Sequence, residues 1–204
     1  MARRAVILLD GGFVKRRLAR RLRRPVRAAD VIDLSERLMD EDRLRGCELL
    51  RVFFYDAPPW SGTASNPIDG TVIDFSRTEQ HASATALLDT LAKAPDFALR
   101  LGQLTLNGWE LGPRALRNLA RRPRSIEPRD LVPRMRQKGV DGRITLDLGW
   151  HALRGIADVA VLVTGDSDLV PAMKLARSEG MHVYLNPLGH GVRDELKIHA
   201  DCVL

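Results

Sequence analysis

Cysteine is scarce in this chain. The two that occur, Cys47 and Cys202, stand far apart and match no metal-binding spacing, which argues against structural zinc and makes a reduced, cytoplasmic setting the expectation. Long hydrophobic runs are missing as well. None approaches the roughly 20 residues that a membrane-crossing helix needs, so no membrane partner is expected. The opening "MARRAVILLDGG" has a basic start, but its apolar run stops at Leu9 and Asp10 follows at once, the mark of a first strand rather than a secretion signal. Acidic residues are absent from 11–27, where eight basic ones stand: Lys15, Arg16, Arg17, Arg20, Arg21, Arg23, Arg24 and Arg27.

The 204 residues suit one domain, or one domain with an elaborated region, and the 45% hydrophobic and 28% charged content is that of a globular protein. The net charge is +6. A second basic stretch, 100–138, carries ten Lys and Arg against Glu110, Glu127 and Asp130. Two such clusters favour a polyanion such as nucleic acid, against the plainer reading of solvated helix faces. Arginine outnumbers lysine here, and its planar fork suits phosphate.

Strand-like and helix-like segments alternate. Strands are expected at 5–10, 48–58, 158–164 and 181–187. Helices are expected at 13–24, 28–44, 72–93, 138–155, 168–179 and near 191–200. The segment 58–70 has loop composition, and 97–111 reads as one long strand or as a hairpin turning at Asn107-Gly108. Residues 112–137, rich in Pro and Arg with weak periodicity, read as a basic insertion or loop in a single domain spanning 1–204. The alternation predicts an α/β fold, three-layer α/β/α with a mainly parallel central sheet. Hydrophobic positions of 72–93 leave a homodimer open, with core packing the cheaper explanation.

Ligands of such sheets bind at the carboxyl ends of the strands. There stand Asp10, ending the first strand, and Asp166 and Asp168 just beyond strand 158–164. Asp141 opens the helix that precedes that strand, and a helix ahead of a parallel strand begins at the strand's carboxyl end. The four acids therefore converge, and repulsion and burial would raise their pKa values unless a cation neutralised them. An all-oxygen set suits Mg²⁺ or Mn²⁺. Each acid also has a local explanation. Asp10 before Gly11-Gly12 can shape a turn, Asp168 or Ser167 can cap the following helix, and Asp141 can oppose a helix dipole. Asp147 lies about 120° further round the helix from Asp141, a structural position. His190 is expected near the site edge, and Trp60, Trp109 and Trp150 as core or loop anchors.

The stretches "AVILLDGGFV", "QKGVDGRITLDLGWHAL" and "VLVTGDSDLVPAMKLARSEGMHVYL", in that order, resemble the NYN-domain proteins, including the LabA-like group, within the PIN-like nuclease superfold. The resemblance covers about 4–18 and 136–204 and is vague across 57–135. It implies a three-layer α/β/α domain whose acidic pocket binds Mg²⁺ or Mn²⁺ and cleaves RNA, single-stranded or structured. Asp10, Asp141, Asp166 and Asp168 fall on the acidic positions, Thr164 and Ser167 flank them, and Asp201 in "HAD" falls on a closing element that supports the pocket. One departure stands out: many members follow the first acid with Gly-x-Asn, where this chain has Gly11, Gly12 and Phe13.

The expectation is a metal-dependent ribonuclease, an endoribonuclease by default. Lys15 and Arg16 would lie near the pocket, and Arg20, Arg23 and Arg24 would extend an RNA track. The alternative is a non-catalytic RNA-binding or adaptor protein that keeps the fold with a degenerate pocket. A phosphatase ranks last, because its aspartyl nucleophile calls for a second Asp where Gly12 stands.

Overall fold

The run Ala5–Leu9 is apolar without alternation because both of its faces are covered. Ala5, Ile7 and Leu9 enter one core, while Val6 and Leu8 enter another on the opposite side. A computed structural model describes residues 2–204. In chain order its elements are β1 (Arg3–Asp10), α1 (Gly11–Leu22), α2 (Ala28–Met39), β2 (Cys47–Asp56), β3 (Thr63–Ser65), β4 (Val72–Asp74), α3 (Glu79–Lys93), β5 (Phe97–Leu101) and β6 (Gln103–Leu111). Then come α4 (Pro113–Arg121), β7 (Leu131–Lys138), α5 (Val140–Leu153), β8 (Val159–Val163), α6 (Val170–Ser178), β9 (His182–Leu185), α7 (Asp194–Ile198) and β10 (Cys202–Val203).

Six strands form one sheet in the order β10-β9-β8-β1-β2-β5, with every pairing parallel. Helices α1, α2 and α3 cover one face through Val14, Leu18, Val31, Leu34, Leu88 and Leu91. Helices α5 and α6 cover the other through Ile144, Leu148 and Met173, joined by Leu196 of α7. This is the expected three-layer α/β/α arrangement. Among the described residues no helix is long and apolar enough to cross a membrane.

Several expected boundaries shift. The helix expected over 28–44 ends at Met39, and a separate 3₁₀ turn at Asp42–Leu44 buries Leu44. Residues 72–74 pair with 63–65 as a small antiparallel ladder, and α3 begins only at Glu79, where Thr78 caps it by accepting the His81 amide. The expected strand 97–111 is two strands in different sheets. β5 stays in the main sheet, and the chain leaves it at Gly102, where a Cβ would run into the carbonyl of Lys138. Asn107-Gly108 is no hairpin turn: Gly108, at φ 80°, sits in an irregularity between Leu106 and Trp109 of β6.

The stretch 112–137 is likewise structured. β6 and β7 pair antiparallel as a ribbon, with α4 between them. The excursion from the main sheet thus runs from Gln103 to Lys138. Its turn is clamped by the buried Asp130, which accepts both Nη atoms of Arg124, at 2.6 and 2.8 Å, and the amide of Glu127 at 2.9 Å. The Arg124 fork, helped by that amide, pulls the Asp130 carboxyl down from 3.8 to about 2. A lowered folded value means stabilisation that is fully present above pH 3.8 and is lost as pH falls toward 2. Asp130→Asn should therefore make the 112–131 turn cleave several-fold faster in limited proteolysis at pH 7. Hydrogen exchange should show its amides less protected than wild type at pH 5, with the difference fading near pH 2. A deficit that stayed constant with pH would mean the ion pair is not what holds the turn.

Candidate active site at the carboxyl edge of the sheet

From β1 the sheet grows in two directions, through β2 and β5 on one side and through β8, β9 and β10 on the other. The seam between β1 and β8 is therefore the topological switch point, where an open α/β sheet leaves a crevice beyond its strand ends. Register decides what projects there. Leu9 pairs with Val163, so Asp10 and Thr164 emerge side by side. Gly11 must follow Asp10 closely, because a Cβ would lie 2.6 Å from the carbonyl oxygen of Tyr55.

Asp10 joins the two strand ends. One carboxylate oxygen accepts the Phe13 amide at 3.0 Å and caps α1, and the other accepts the Thr164 hydroxyl at 3.2 Å. The Thr164 oxygen accepts the Asp166 amide at 3.1 Å, and Asp166 accepts the Asp168 amide at 3.0 Å. Asp166 is thus the cap of the 3₁₀ turn Ser167–Leu169 that leads into α6, a role expected of Asp168 or Ser167. Ser167 instead receives a long contact of 3.5 Å from Arg193. Asp141 lies in the first turn of α5, exposed at the mouth.

The cleft so formed, about 520 Å³, is lined by the acids Asp10, Asp141 and Asp166 together with Arg16, Arg17 and Arg20. Burial raises the Asp10 pKa against the opposing pull of the Phe13 amide, the Thr164 hydroxyl and Arg16. Asp141 is raised by desolvation and then by Asp166, Asp10 and Asp168, so its carboxyl senses the other three. The donor set is all oxygen, and its chemistry fits a hard divalent cation. Yet among the described residues no three His, Cys, Asp or Glu side chains already form a group that could hold a metal ion. Asp10 and Asp166 each commit an oxygen to a backbone amide, while the carboxylates of Asp141 and Asp168 accept no hydrogen bond among the described residues. The donors are therefore gathered around the cleft without a preformed coordination sphere.

Two contributors were not foreseen. Asp56 ends β2 at the same edge, 1% exposed; Oδ1 accepts the Gln137 amide at 2.8 Å, and Oδ2 has only the Lys15 ammonium, at 2.5 Å, to answer it. The rule that picked out Asp10, an acid ending an apolar strand, also describes Asp56 in "VFFYDAP". Gln137 comes from the root of the ribbon and lines the cleft, bringing a carboxamide to a site whose Phe13 has none. Phe13 itself is buried against Gly165 and His190.

The remaining candidates separate clearly. Arg16 and Arg20 line the cleft, whereas Lys15 is spent on Asp56 and Arg24 is held by both oxygens of Asp30 at 2.7 and 2.6 Å. Arg23 is exposed at the far end of α1. Asp201 accepts the Val183 amide and Arg177 Nε, bracing β9 to α6 away from the cleft. Asp147 accepts the Tyr55 hydroxyl and Arg100 Nε, both at 2.9 Å, as a structural residue would. His190 lines the cleft; Trp150, expected as an anchor, is 56% exposed.

The family model of the NYN domain matches residues 54–201. The chain belongs to the NYN-domain family, whose members are generally PIN-like nucleases, and membership implies a nucleic acid as what it binds. The match takes in Asp56, Asp141, Asp166 and Asp168 and begins after β1, so Asp10 joins them through the fold. No curated protein matches the chain significantly. Among solved structures, the fold is similar to the crystal structure of a protein of unknown function from Vibrio parahaemolyticus. The TM-score is 0.53 at 15% identity, over 100% of this chain and 92% of that one.

The buried Asp56 makes a direct prediction. Lys15→Met leaves that carboxylate without its cation and should lower unfolding free energy by about 3 kcal/mol in urea denaturation. Adding Asp56→Asn should return most of the loss. A double variant no better than the single one would mean the lysine acts by packing alone.

Proposed function

We propose that this protein is a metal-dependent ribonuclease that hydrolyses RNA phosphodiester bonds in the cleft at the β1–β8 seam. The observation that carries the reading is the meeting of Asp10, Asp141 and Asp166 in one cleft at the switch point, with Asp168 close enough to act on Asp141, beside Arg16, Arg17 and Arg20. Asp10 and Asp141, whose pKa values are raised by burial and by neighbouring carboxylates, suit a site that gains a cation, and the guanidiniums beside them suit a phosphate backbone. Asp10 and Asp166, with Asp168 and Asp141 around them, would hold Mg²⁺ or Mn²⁺; bound there, the ion supplies Lewis acidity and neutralises charge on the phosphate.

The chain's own groups divide the rest of the work. Arg16 and Arg20 draw in and orient the phosphodiester. Asp141, exposed and unbonded at the rim of that ion site, would help orient the attacking water, whose proton goes to solvent as the phosphorus–oxygen bond to the leaving ribose breaks and the leaving oxygen takes a proton from solvent. Thr164 keeps Asp10 turned toward the cleft through its hydroxyl. Gln137 and Lys15 hold Asp56 in place, so its charge does not add to the cleft.

The test is cleavage of a labelled RNA pool with Mn²⁺, Mg²⁺ or EDTA. Wild type should cut only with metal. Asp166→Asn keeps the oxygen that accepts the Asp168 amide, so the fold should hold while kcat falls at least about a hundredfold, the scale of losing one element of electrostatic stabilisation. Cleavage that persists in EDTA would overturn metal dependence. RNA bound but uncut in every lane would make the protein a non-catalytic RNA binder.

A further inference from the structure

Helix α1 carries more positive charge than the acidic cleft uses. Beside that cleft, and sharing Arg17, Arg20 and His190 with it, lies a second recess of about 530 Å³, where Arg21 joins them beneath the turn at Leu188 and Gly189. Among the described residues none of Arg17, Arg20 and Arg21 has a carboxylate partner, in contrast to Lys15 on the same helix and Arg24 just past its end. Arg17 Nη2 donates to the Leu188 carbonyl at 3.2 Å, which pins the turn to the helix, while its Nε is buried with no acceptor. A buried donor left unanswered at the wall of a cationic recess needs an explanation, and an anion supplies one. The turn is itself strained: Leu188, at φ 50°, and Gly189, at φ 65°, are both left-handed, and backbone strain of this kind gathers at binding sites.

We infer that this recess binds the terminal phosphate monoester of an RNA whose chain runs on into the acidic cleft. The inference rests on the ribonuclease reading above. Three unpaired guanidiniums match a dianionic end better than one phosphodiester in a continuing strand. The track also stops here. Helix α1 ends at Leu22, the chain turns at the left-handed Arg23, and Arg24 beyond it is held by both oxygens of Asp30. Arg17 to Arg21 stand seven to eleven residues past Asp10, roughly 10–16 Å along the helix. At about 3.4 Å per stacked nucleotide that separation spans about three to five nucleotides. The recess thereby becomes a stop that fixes how far from the end the strand enters the cleft.

The experiment measures binding in EDTA, without cleavage, of one short RNA sequence carrying a 5′-phosphate, a 3′-phosphate or hydroxyls at both ends. One phosphorylated form should bind at least about tenfold tighter than the hydroxyl form, the scale of one charge-assisted contact. Arg21→Ala, at an exposed position that lines only this recess, should bring the ratio close to one, with Arg20→Ala/Arg21→Ala as the stronger variant and circular dichroism to show both are folded. Equal affinity for all three RNAs would mean the recess receives internal phosphates, and the inference falls. It falls as well if the preference survives in the double variant. End preference in a protein that cuts nothing would keep the recess and sink the nuclease reading; metal-dependent cutting with no end preference would do the reverse.

Discussion

A single carboxylate, that of Asp10, ties the working edge of this protein together. It caps α1 through Phe13 and accepts the hydroxyl of Thr164, whose oxygen in turn holds the Asp166 amide. The central strand, the basic helix and the acidic loop after β8 are therefore referenced to one side chain. Because α1 is anchored at Asp10, the position of every arginine along it relative to the cleft is decided there. Burial makes that carboxylate costly to ionise, and only the bonds it accepts and the nearby Arg16 oppose the rise in its pKa.

A parallel sheet creates the problem that this arrangement answers. Strands that all run one way deliver their terminal residues to one edge, and here β1, β2 and the loop after β8 each deliver an acid. The chain handles them differently. Asp56 is closed off by Lys15 and Gln137, whereas Asp10, Asp141 and Asp166 remain open to the cleft. Lys15 and Arg16 are neighbours in sequence, yet one is consumed in an internal ion pair and the other faces the cleft, because successive helical residues point about 100° apart.

The strongly patterned segments were legible from residues alone. β1 and β8 read as strands because each is a short, unbroken apolar run, and both are buried on both faces. The least legible region was 103–138. Its strands pair with each other outside the main sheet, so they lack the continuous apolar signature of a buried strand, and the Pro and Arg content looked like a loop. Only the pairing of β6 with β7, and the Asp130–Arg124 clamp, make it ordered. β10 escaped notice because two residues carry no period; it exists because Cys202 and Val203 lie against Tyr184 and Leu185.

By itself the sequence determined the α/β class, the parallel sheet and the gathering of Asp10, Asp141, Asp166 and Asp168. Strand direction and helix polarity are properties of local pattern, and together they put those residues at one edge. Tertiary structure alone decided which charges are free. Lys15 and Arg24 are indistinguishable from Arg16 and Arg20 in a string of letters, and their partners Asp56 and Asp30 are chosen by strand register and by the approach of α2 to the end of α1. The same holds for Gln137, brought from the ribbon root to the cleft across 127 positions from Asp10. Pairing between residues distant in the chain depends on packing, and packing has no counterpart in local periodicity.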